Sequence, residues 1–250
     1  MKYVDLNADL GESFGAYTLG MDEKLLGHIT SANVACGFHA GDAVVMERTA
    51  RLAEKSGVAV GAHPGYPDLA GFGRREMSVS PEEARCYVRY QLGALMAFAP
   101  VRHVKLHGAL YNRAAMDVKL AEAVCRAVRE VDPTLILLGL SGSVMREAAA
   151  EAGLRFASEV FADRAYMPDG TLAPRSVAGA VIRDEETAIA RTVRMVREGL
   201  VRAADGTDIS IAADSVCVHG DNPAAVAFAR AIRGALMREG IGLKPLSEIV

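Results

Sequence analysis

Several features are missing from this sequence of 250 residues, and each absence excludes a class of protein. No apolar run approaches the roughly 20 residues that a membrane span needs. Asp5 and Asp9 precede any apolar run, so we expect no secretory leader. The net charge of −3 carries no basic cluster, which argues against nucleic-acid and membrane-surface partners. We therefore expect a cytoplasmic protein whose partners are small molecules or other proteins.

The four cysteines have neither CxxC spacing nor the density of a disulfide framework, so reduced thiols are expected. Cys36 lies in the motif "ACGFHAG", three residues before His39. We do not interpret Cys36 as a nucleophile, because a cysteine before glycine at a buried strand end is usually a small packing group.

Short apolar runs alternate with amphipathic helical patterns along the chain, which is typical of βα units around a parallel sheet. The predicted strands lie near residues 3–9, 31–36, 58–62, 101–107, 134–139, 154–159 and 214–219. The predicted helices lie near residues 43–56, 80–98, 115–130, 143–152, 184–199 and 223–239. A hairpin that turns at Asp205-Gly206 is predicted before the last strand. Because no linker or internal repeat is visible, we expect one domain over residues 1–250.

Side-chain alternation decides between an open doubly wound sheet and a closed barrel. Strands of an open sheet are covered by helices on both faces and should be apolar on both sides. Here one side of the first and fourth strands is polar, with Asp5, Asn7 and Asp9 in one and His103, Lys105 and His107 in the other. We therefore predict an α/β fold of the TIM-barrel type, a seven-stranded parallel (β/α) barrel with a polar interior at its carboxyl-terminal end.

Polar residues at strand ends can also satisfy one another or cap helices without taking part in chemistry. However, burying a charge without a partner costs several kcal/mol or more, so charges that face one lumen must pair or bind a ligand. Glycine next to His, Asp, Asn or Glu recurs at the strand ends, for example in "NVACGFHAGD", "GAHPGYPD" and "CVHGDN". This pattern fits loops that approach a small molecule closely.

Five sequence blocks resemble the LamB/YcsF family: "VDLNADLGE", "NVACGFHAGD", "GAHPGYPDLAGFGRREM", "VKLHGALYN" and "CVHGDNPAAV". The resemblance implies a barrel of the glycoside hydrolase/deacetylase type. It also implies a hydrolase that opens the cyclic amide 5-oxoproline (pyroglutamate) to glutamate, as one component of a three-part 5-oxoprolinase with B and C subunits. The expected co-substrate is ATP. Because the sequence contains no G-x-x-x-x-G-K-[ST] motif, ATP would be handled by the partner subunits.

Water addition to an activated lactam needs a base, and it needs groups that stabilise developing negative charge. Asp9 is the expected base, and Lys105 and His107 are the expected charge-stabilising pair. The predicted catalytic set is completed by three more polar residues: Asp5, Asn7 and Glu12.

The substrate carboxylate or a phosphate needs an anchor, for which the planar guanidinium of arginine is suited. Arg164, or Arg74 and Arg75 in the "GFGRRE" segment, are candidates. The predicted substrate-binding residues are Asn33, His39, His63, Arg74, Arg164, His219 and Asp221.

Two other functions remain open at this point. A metal-dependent, deacetylase-like amidohydrolase would act without ATP, through a divalent ion held by Asp9, His39, His63 and His219. The compact signature H-E-x-x-H is absent, so spacing alone does not establish such a site. The second alternative is a non-catalytic scaffold that binds 5-oxoproline and presents it to its partners.

Overall fold

Parallel strands close into a barrel in the computed structural model, which describes residues 1–218 and 224–250. In chain order the strands are β1 (Tyr3–Leu10), β2 (Ser31–Ala35), β3 (Ala59–His63), β4 (Val101–Lys105), β5 (Ile136–Leu140), β6 (Arg155–Phe161), β7 (Leu200–Arg202), β8 (Asp208–Ser210), β9 (Ser215–Val218) and β10 (Gly242–Leu243). Each of β1 to β5 pairs in parallel with the strand that follows it, and β9 pairs in parallel with both β6 and β1. This ring confirms the predicted seven-stranded barrel and excludes the open sheet.

Helices surround this barrel. They are α1 (Asp22–Leu26), α2 (Ala43–Lys55), α3 (Pro81–Met96), α4 (Gly108–Ala114), α5 (Val118–Val131), α6 (Met145–Glu151), α7 (Glu185–Glu198) and α8 (Ala224–Arg238), with a 3-10 turn at Leu246–Glu248. Ser80 caps α3 in a reciprocal capping box with Glu83, as the sequence motif indicates. None of these helices, within the described ranges, combines the length and apolar content that crossing a bilayer requires.

The helix predicted over 115–130 is present as α5, but the shorter helix before it, α4, was not predicted. α4 already begins at Gly108, directly after the fourth strand, and a separate helix, α5, begins at Val118. The Asp117 side chain accepts a hydrogen bond from the Leu120 backbone N–H and thereby caps the second helix. The sequence prediction missed α4 because its short apolar run directly follows the strand.

The predicted hairpin is present, with β7 and β8 pairing in antiparallel fashion around Asp205-Gly206. A strand that was not predicted, β10, adds to the start of β1 in parallel, with Tyr3 opposite Gly242. A stretch of two residues carries too little periodicity to be recognised from sequence.

The two faces of the barrel strands have different chemistry. Val4, Leu6 and Ala8 of β1 are buried in the apolar layer under the helices, whereas the alternate residues Asp5 and Asn7 are buried in the polar interior. Gly61 of β3 leaves room for an imidazole, since a Cβ there would overlap the His103 ring. The polar interior predicted from alternation is therefore present.

A small apolar cluster lies where β5 and β6 begin. Ile136 and Leu138 of β5 pack with Ala157 of β6 and with Leu246 of the C-terminal 3-10 turn. These residues alternate with Leu137, which belongs to the main apolar layer. The polar residues are consequently concentrated toward the carboxyl ends of the strands, where the site lies.

Candidate active site

Lys105, the last residue of β4, is the centre of a buried charge network. Its Nζ lies 2.9 Å from Asp9 Oδ1 and 2.9 Å from Glu159 Oε1, and it also donates to Asn7 Oδ1 at 3.3 Å and Cys217 Sγ at 3.1 Å. Burial disfavours the charged ammonium, but the adjacent carboxylates outweigh burial and hold the pKa of Lys105 well above its usual value. Lys105 is therefore a permanent cation shared by two carboxylates.

Below Lys105, Asp5 is held by hydroxyl groups and makes no ion pair within the described residues. Thr30 Oγ1 and Ser31 Oγ each donate to Asp5 Oδ1 at 2.6 Å, and Ser215 Oγ donates to Asp5 Oδ2. Burial is the main cause that raises the pKa of Asp5 to about 6, against the lowering effect of these hydrogen bonds. Asp5 does not line the cavity above Lys105, so its contribution is to the floor that supports the site.

Two asparagines connect this floor to Asp9. Asn33 Nδ2 donates to Asn7 Oδ1 at 2.7 Å and to Asp9 Oδ1 at 2.9 Å. Asn7 Nδ2 donates to Glu159 Oε1 at 3.1 Å and to Ser215 Oγ at 2.7 Å. Like Asp5, both asparagines are fully buried and lie outside the cavity wall. They orient the charged side chains above them.

Three histidines and Glu12 converge beside Asp9. The rings of His39 and His107 are stacked, with centroids 3.7 Å apart, and His63 Nε2 lies 2.9 Å from His107 Nδ1. Glu12 Oε1 lies 3.4 Å from His39 Nε2 and 3.7 Å from His107 Nδ1, and Asp9 Oδ2 lies 3.4 Å from His63 Nε2. Burial, followed by repulsion from neighbouring imidazoles, holds the pKa of His39 and of His107 well below the usual value. Both rings are therefore neutral at physiological pH.

The loop that follows β3 covers the stacked rings. Phe72 O accepts a hydrogen bond from His107 Nε2 at 2.8 Å, and Gly73 O accepts one from the Ala109 N–H at 2.9 Å. Gly73 has φ +62°, and a Cβ there would lie 2.7 Å from His39 Cβ. Only glycine satisfies both the backbone conformation and the close approach at this position.

A cavity of about 660 Å³ opens above these groups. Asp9, Glu12, His63, Lys105 and His107 contribute to its wall. Its remaining polar lining includes Arg74, Glu76, Tyr111, Asn112, Arg164, Asp169, Thr171 and Arg175. Carboxylates, imidazoles and guanidinium groups therefore face one space of ligand size.

The candidate arginines behave differently from one another. Arg164 is 6% exposed, donates through Nη2 to Ala173 O at 2.6 Å, and lines the cavity. Burial and then the charge of Arg175 lower the pKa of Arg164 to about 10, so it remains cationic at neutral pH. Arg74 also lines the cavity, with its guanidinium 4.9 Å from the Phe72 ring centroid. Arg75 instead forms an ion pair with Asp68 and is absent from the cavity wall.

Sequence reasoning missed Glu159 and Tyr111. Tyr111 Oη donates to Glu159 Oε2 at 2.7 Å, and the other carboxylate oxygen pairs with Lys105. The alternation pattern of β6 indicates Glu159, because Glu159 lies two residues after Ala157 and therefore points to the same, interior face of the strand. Tyr111 lies in the helix that was not predicted, so no strand pattern indicated it.

His219 and Asp221, which were predicted to bind substrate, lie outside the described residues. His219 was also a predicted metal ligand. Cys36 is buried, its Sγ lies 3.1 Å from Val34 O, and burial raises its thiol pKa to about 12. A thiol with so high a pKa contains almost no thiolate at neutral pH, which agrees with a packing role.

The fold and the site together define a class of (β/α)-barrel protein that carries a buried centre of carboxylates, lysine and histidines at the carboxyl ends of its strands. The model of the LamB/YcsF family matches residues 4–250, and the chain belongs to this family. The resemblance stated from the sequence blocks is confirmed.

Similar proteins extend over almost the whole chain. One from Geobacillus kaustophilus (strain HTA426), named as the A subunit of 5-oxoprolinase, is 56% identical over 249 residues, covering 98% of this chain and 97% of that protein. Another of the same name, from Clostridium beijerinckii (strain ATCC 51743 / NCIMB 8052), is 55% identical and both chains are covered completely. The crystal structure of a lactam utilization protein from Thermus thermophilus has a TM-score of 0.91 at 50% identity and covers 98% of this chain and 99% of that chain.

Proposed function

We propose that this chain is the A subunit of a 5-oxoprolinase, a hydrolase that opens 5-oxoproline to glutamate at the expense of ATP. The observation that carries the proposal is the identity of 55–56% with relatives of that name over essentially their whole length. The cavity supports the proposal, because it combines acidic, imidazole and guanidinium groups. This function is favoured over that of a deacetylase that acts without ATP.

ATP would be handled by partner B and C subunits, since this sequence has no phosphate-binding P-loop motif. A lactam is a resonance-stabilised amide, so its opening is assisted when the carbonyl oxygen is phosphorylated. The partners would transfer a phosphoryl group from ATP to this oxygen and release ADP. The barrel would add one water to the ring carbon, and the ring C–N bond would then break, with the nitrogen taking up a proton, to leave γ-glutamyl phosphate. A second water would release phosphate and glutamate. A cavity of about 660 Å³ has room for a small lactam with a phosphoryl group.

Asp9 is proposed as the general base. Its Oδ1 accepts hydrogen bonds from Lys105 and Asn33, whereas its Oδ2 is directed toward His63 and the cavity. The ammonium of Lys105 favours the ionised carboxylate, which is the form that accepts a proton from water. In this proposal Lys105 is a positioning residue that acts through Asp9, because its contacts to Asp9, Glu159 and Asn7 occupy the ammonium.

Arg164 and Arg74 are proposed to anchor the substrate carboxylate or phosphoryl group. Both guanidinium groups line the cavity, and a guanidinium matches either anion through paired hydrogen bonds. His107 was predicted from the sequence to stabilise developing negative charge together with Lys105. Because the Nε2–H of His107 is donated to Phe72 O, we assign charge stabilisation to these arginines instead. Glu12 and His63 complete the wall beside Asp9.

The proposal is tested by reconstituting this chain with candidate B and C subunits from the same genome. Release of glutamate and phosphate from 5-oxoproline is measured with all components, without ATP, and without this chain. The proposal requires that glutamate release depend both on ATP and on the presence of this chain. Glutamate release in the absence of this chain, or in the absence of ATP, would contradict it. Complete reconstitution without any glutamate release would also contradict it. Hydrolysis of a preformed activated lactam by this chain would eliminate the scaffold alternative.

A further inference from the structure

Two ring nitrogens face each other beside the cavity in an arrangement that needs a third atom between them. His63 Nδ1 lies 2.8 Å from Lys105 O, and His107 Nε2 lies 2.8 Å from Phe72 O. A carbonyl oxygen only accepts hydrogen bonds, so each of these nitrogens carries the proton that is donated. In neutral rings, His63 Nε2 and His107 Nδ1 are then both unprotonated, although they lie only 2.9 Å apart.

Two lone pairs at this distance repel each other unless a cation lies between them or beside them. His39 points into the same place: it is fully buried, and neither of its ring nitrogens makes a hydrogen bond within the described residues. A buried polar group without a hydrogen bond is costly, so such an imidazole requires an explanation. Glu12 supplies an oxygen to the same group, 3.4 Å from His39 Nε2.

We propose that His39, His63, His107 and Glu12 bind one divalent transition metal ion. One potential ligand atom from each of the four residues lies within 4.8 Å of the others, so small side-chain adjustments bring all four to the roughly 2 Å bonds of one ion. The set differs from the sequence-based metal candidates: it retains His39 and His63, adds Glu12 and His107, and places Asp9 adjacent through its contact with His63. It does not depend on the proposed reaction.

The hydrogen-bond partners of the histidines are those expected of histidines that bind a metal. A metal-bound histidine usually donates its other N–H to a carbonyl or carboxylate, which fixes both the tautomer and the ring orientation. Lys105 O and Phe72 O do this for His63 and His107. Three nitrogens and one carboxylate oxygen suit Zn²⁺ or a neighbouring first-row ion, whereas Mg²⁺ and Ca²⁺ prefer oxygen ligands throughout.

The test uses the full chain without a polyhistidine tag, because a tag would bind the same metals. The protein is treated with chelator, dialysed, and titrated with Zn²⁺ and separately with Co²⁺. Bound metal is counted by mass spectrometry, and the Co²⁺ ligand field is read from visible absorption. We expect one ion per chain and a rise in melting temperature with metal. His63→Gln and the double variant His39→Gln/His107→Gln should each weaken binding roughly tenfold or more.

His28→Gln is the matched control, since His28 belongs to the same residue type but lies outside the cluster. It should bind metal as the unmodified chain does. The proposal is overturned if the unmodified, folded chain takes up no metal in a saturable way, which is the result expected if the two rings share a proton instead. It is also overturned if His28→Gln weakens binding as much as the cluster variants, or if those variants bind normally. Melting curves without metal establish that each variant is folded.

Discussion

Lys105 Nζ lies 2.9 Å from Asp9 Oδ1, and this ion pair joins β4 to β1 across the interior of the barrel. The pair is almost entirely enclosed, with Lys105 at 2% exposure. A second carboxylate oxygen, Glu159 Oε1, also lies 2.9 Å from the ammonium, and Glu159 is fully buried. Because one cation compensates two acids, Lys105 has consequences for both stability and chemistry.

Replacing Lys105 by methionine should destabilise the fold strongly. The variant leaves the Asp9 and Glu159 carboxylates buried without their cation, a change that costs roughly 3–5 kcal/mol of unfolding free energy. Adding Glu159→Gln should restore part of the loss, since one of the two uncompensated charges is then removed. Urea denaturation measures both effects.

The control for Lys105 is Arg51→Met, which breaks the exposed ion pair with Glu47 on α2. Exposed pairs of this kind contribute about 0–1 kcal/mol. A loss for Lys105→Met as small as that for Arg51→Met would show that the buried network is not needed for the fold.

Asp5 should make the stability fall as pH rises. Its folded-state pKa is about 6, above the ordinary value of 3.8, so the folded state binds the proton more tightly than the unfolded state. The stabilisation by protonated Asp5 is complete below about pH 4 and is lost as pH rises through 6. The total change in unfolding free energy is about 3 kcal/mol. Asp5→Asn does not titrate and should remove this part of the pH dependence.

The matched control for Asp5 is Asp42→Asn at the N-cap of α2. Hydrogen bonds from backbone N–H groups, that of Val45 first, lower the pKa of Asp42. Asp42 therefore contributes stability at neutral pH that is lost on acidification, the opposite sign to Asp5. Thermal melting of the three proteins from about pH 2 to pH 8 distinguishes the signs, because the Asp5 contribution changes between about pH 4 and 6 and the Asp42 contribution changes only below about pH 4. An unchanged pH profile in Asp5→Asn would contradict the assignment.

Arg164→Gln should raise the KM for 5-oxoproline in the reconstituted enzyme, roughly tenfold or more, because a charge-assisted contact to the substrate anion is lost. Arg164→Lys keeps the positive charge but loses the planar guanidinium, so its KM should lie between that of the unmodified chain and that of Arg164→Gln. Arg197→Gln, on the exposed face of α7, serves as control. If KM is the same in all three variants, Arg164 does not anchor the substrate.

Cys36→Ser should retain most of the activity. The thiol is buried and donates to Val34 O, a hydrogen bond that a serine hydroxyl at this position is able to make. Steady-state turnover of the reconstituted enzyme is the measurement. Loss of turnover in a folded Cys36→Ser variant would reopen the nucleophile interpretation.

Most of the barrel and about half of the site were predictable, and the reason is periodicity. Local alternation was enough to identify the polar and apolar faces of the first strand, with Asp5, Asn7 and Asp9 on one face and Val4, Leu6 and Ala8 on the other. The stacking of His39 on His107 was not predictable, because His39 lies in an irregular segment after β2 and the loop that contains Gly73 packs against both rings. Loop geometry is set by tertiary contacts, not by local pattern.

The same distinction separates the arginines. Arg74 and Arg75 are neighbours in sequence, yet one lines the cavity and the other pairs with Asp68. No property of the sequence distinguished them, since both belong to an irregular segment without a repeat. Arg164 was identified because it follows the end of a barrel strand, where the fold concentrates its sites.

The central claim is that the barrel carries the water-adding centre around Asp9, and turnover of Asp9→Asn tests it most directly. The variant preserves the shape of the side chain and its acceptor oxygen for Lys105 but removes the base. Glutamate release by the reconstituted enzyme should fall roughly 10²- to 10⁴-fold, while the surface control Asp132→Asn stays at the level of the unmodified chain. Near-normal glutamate release by a folded Asp9→Asn variant would contradict the account.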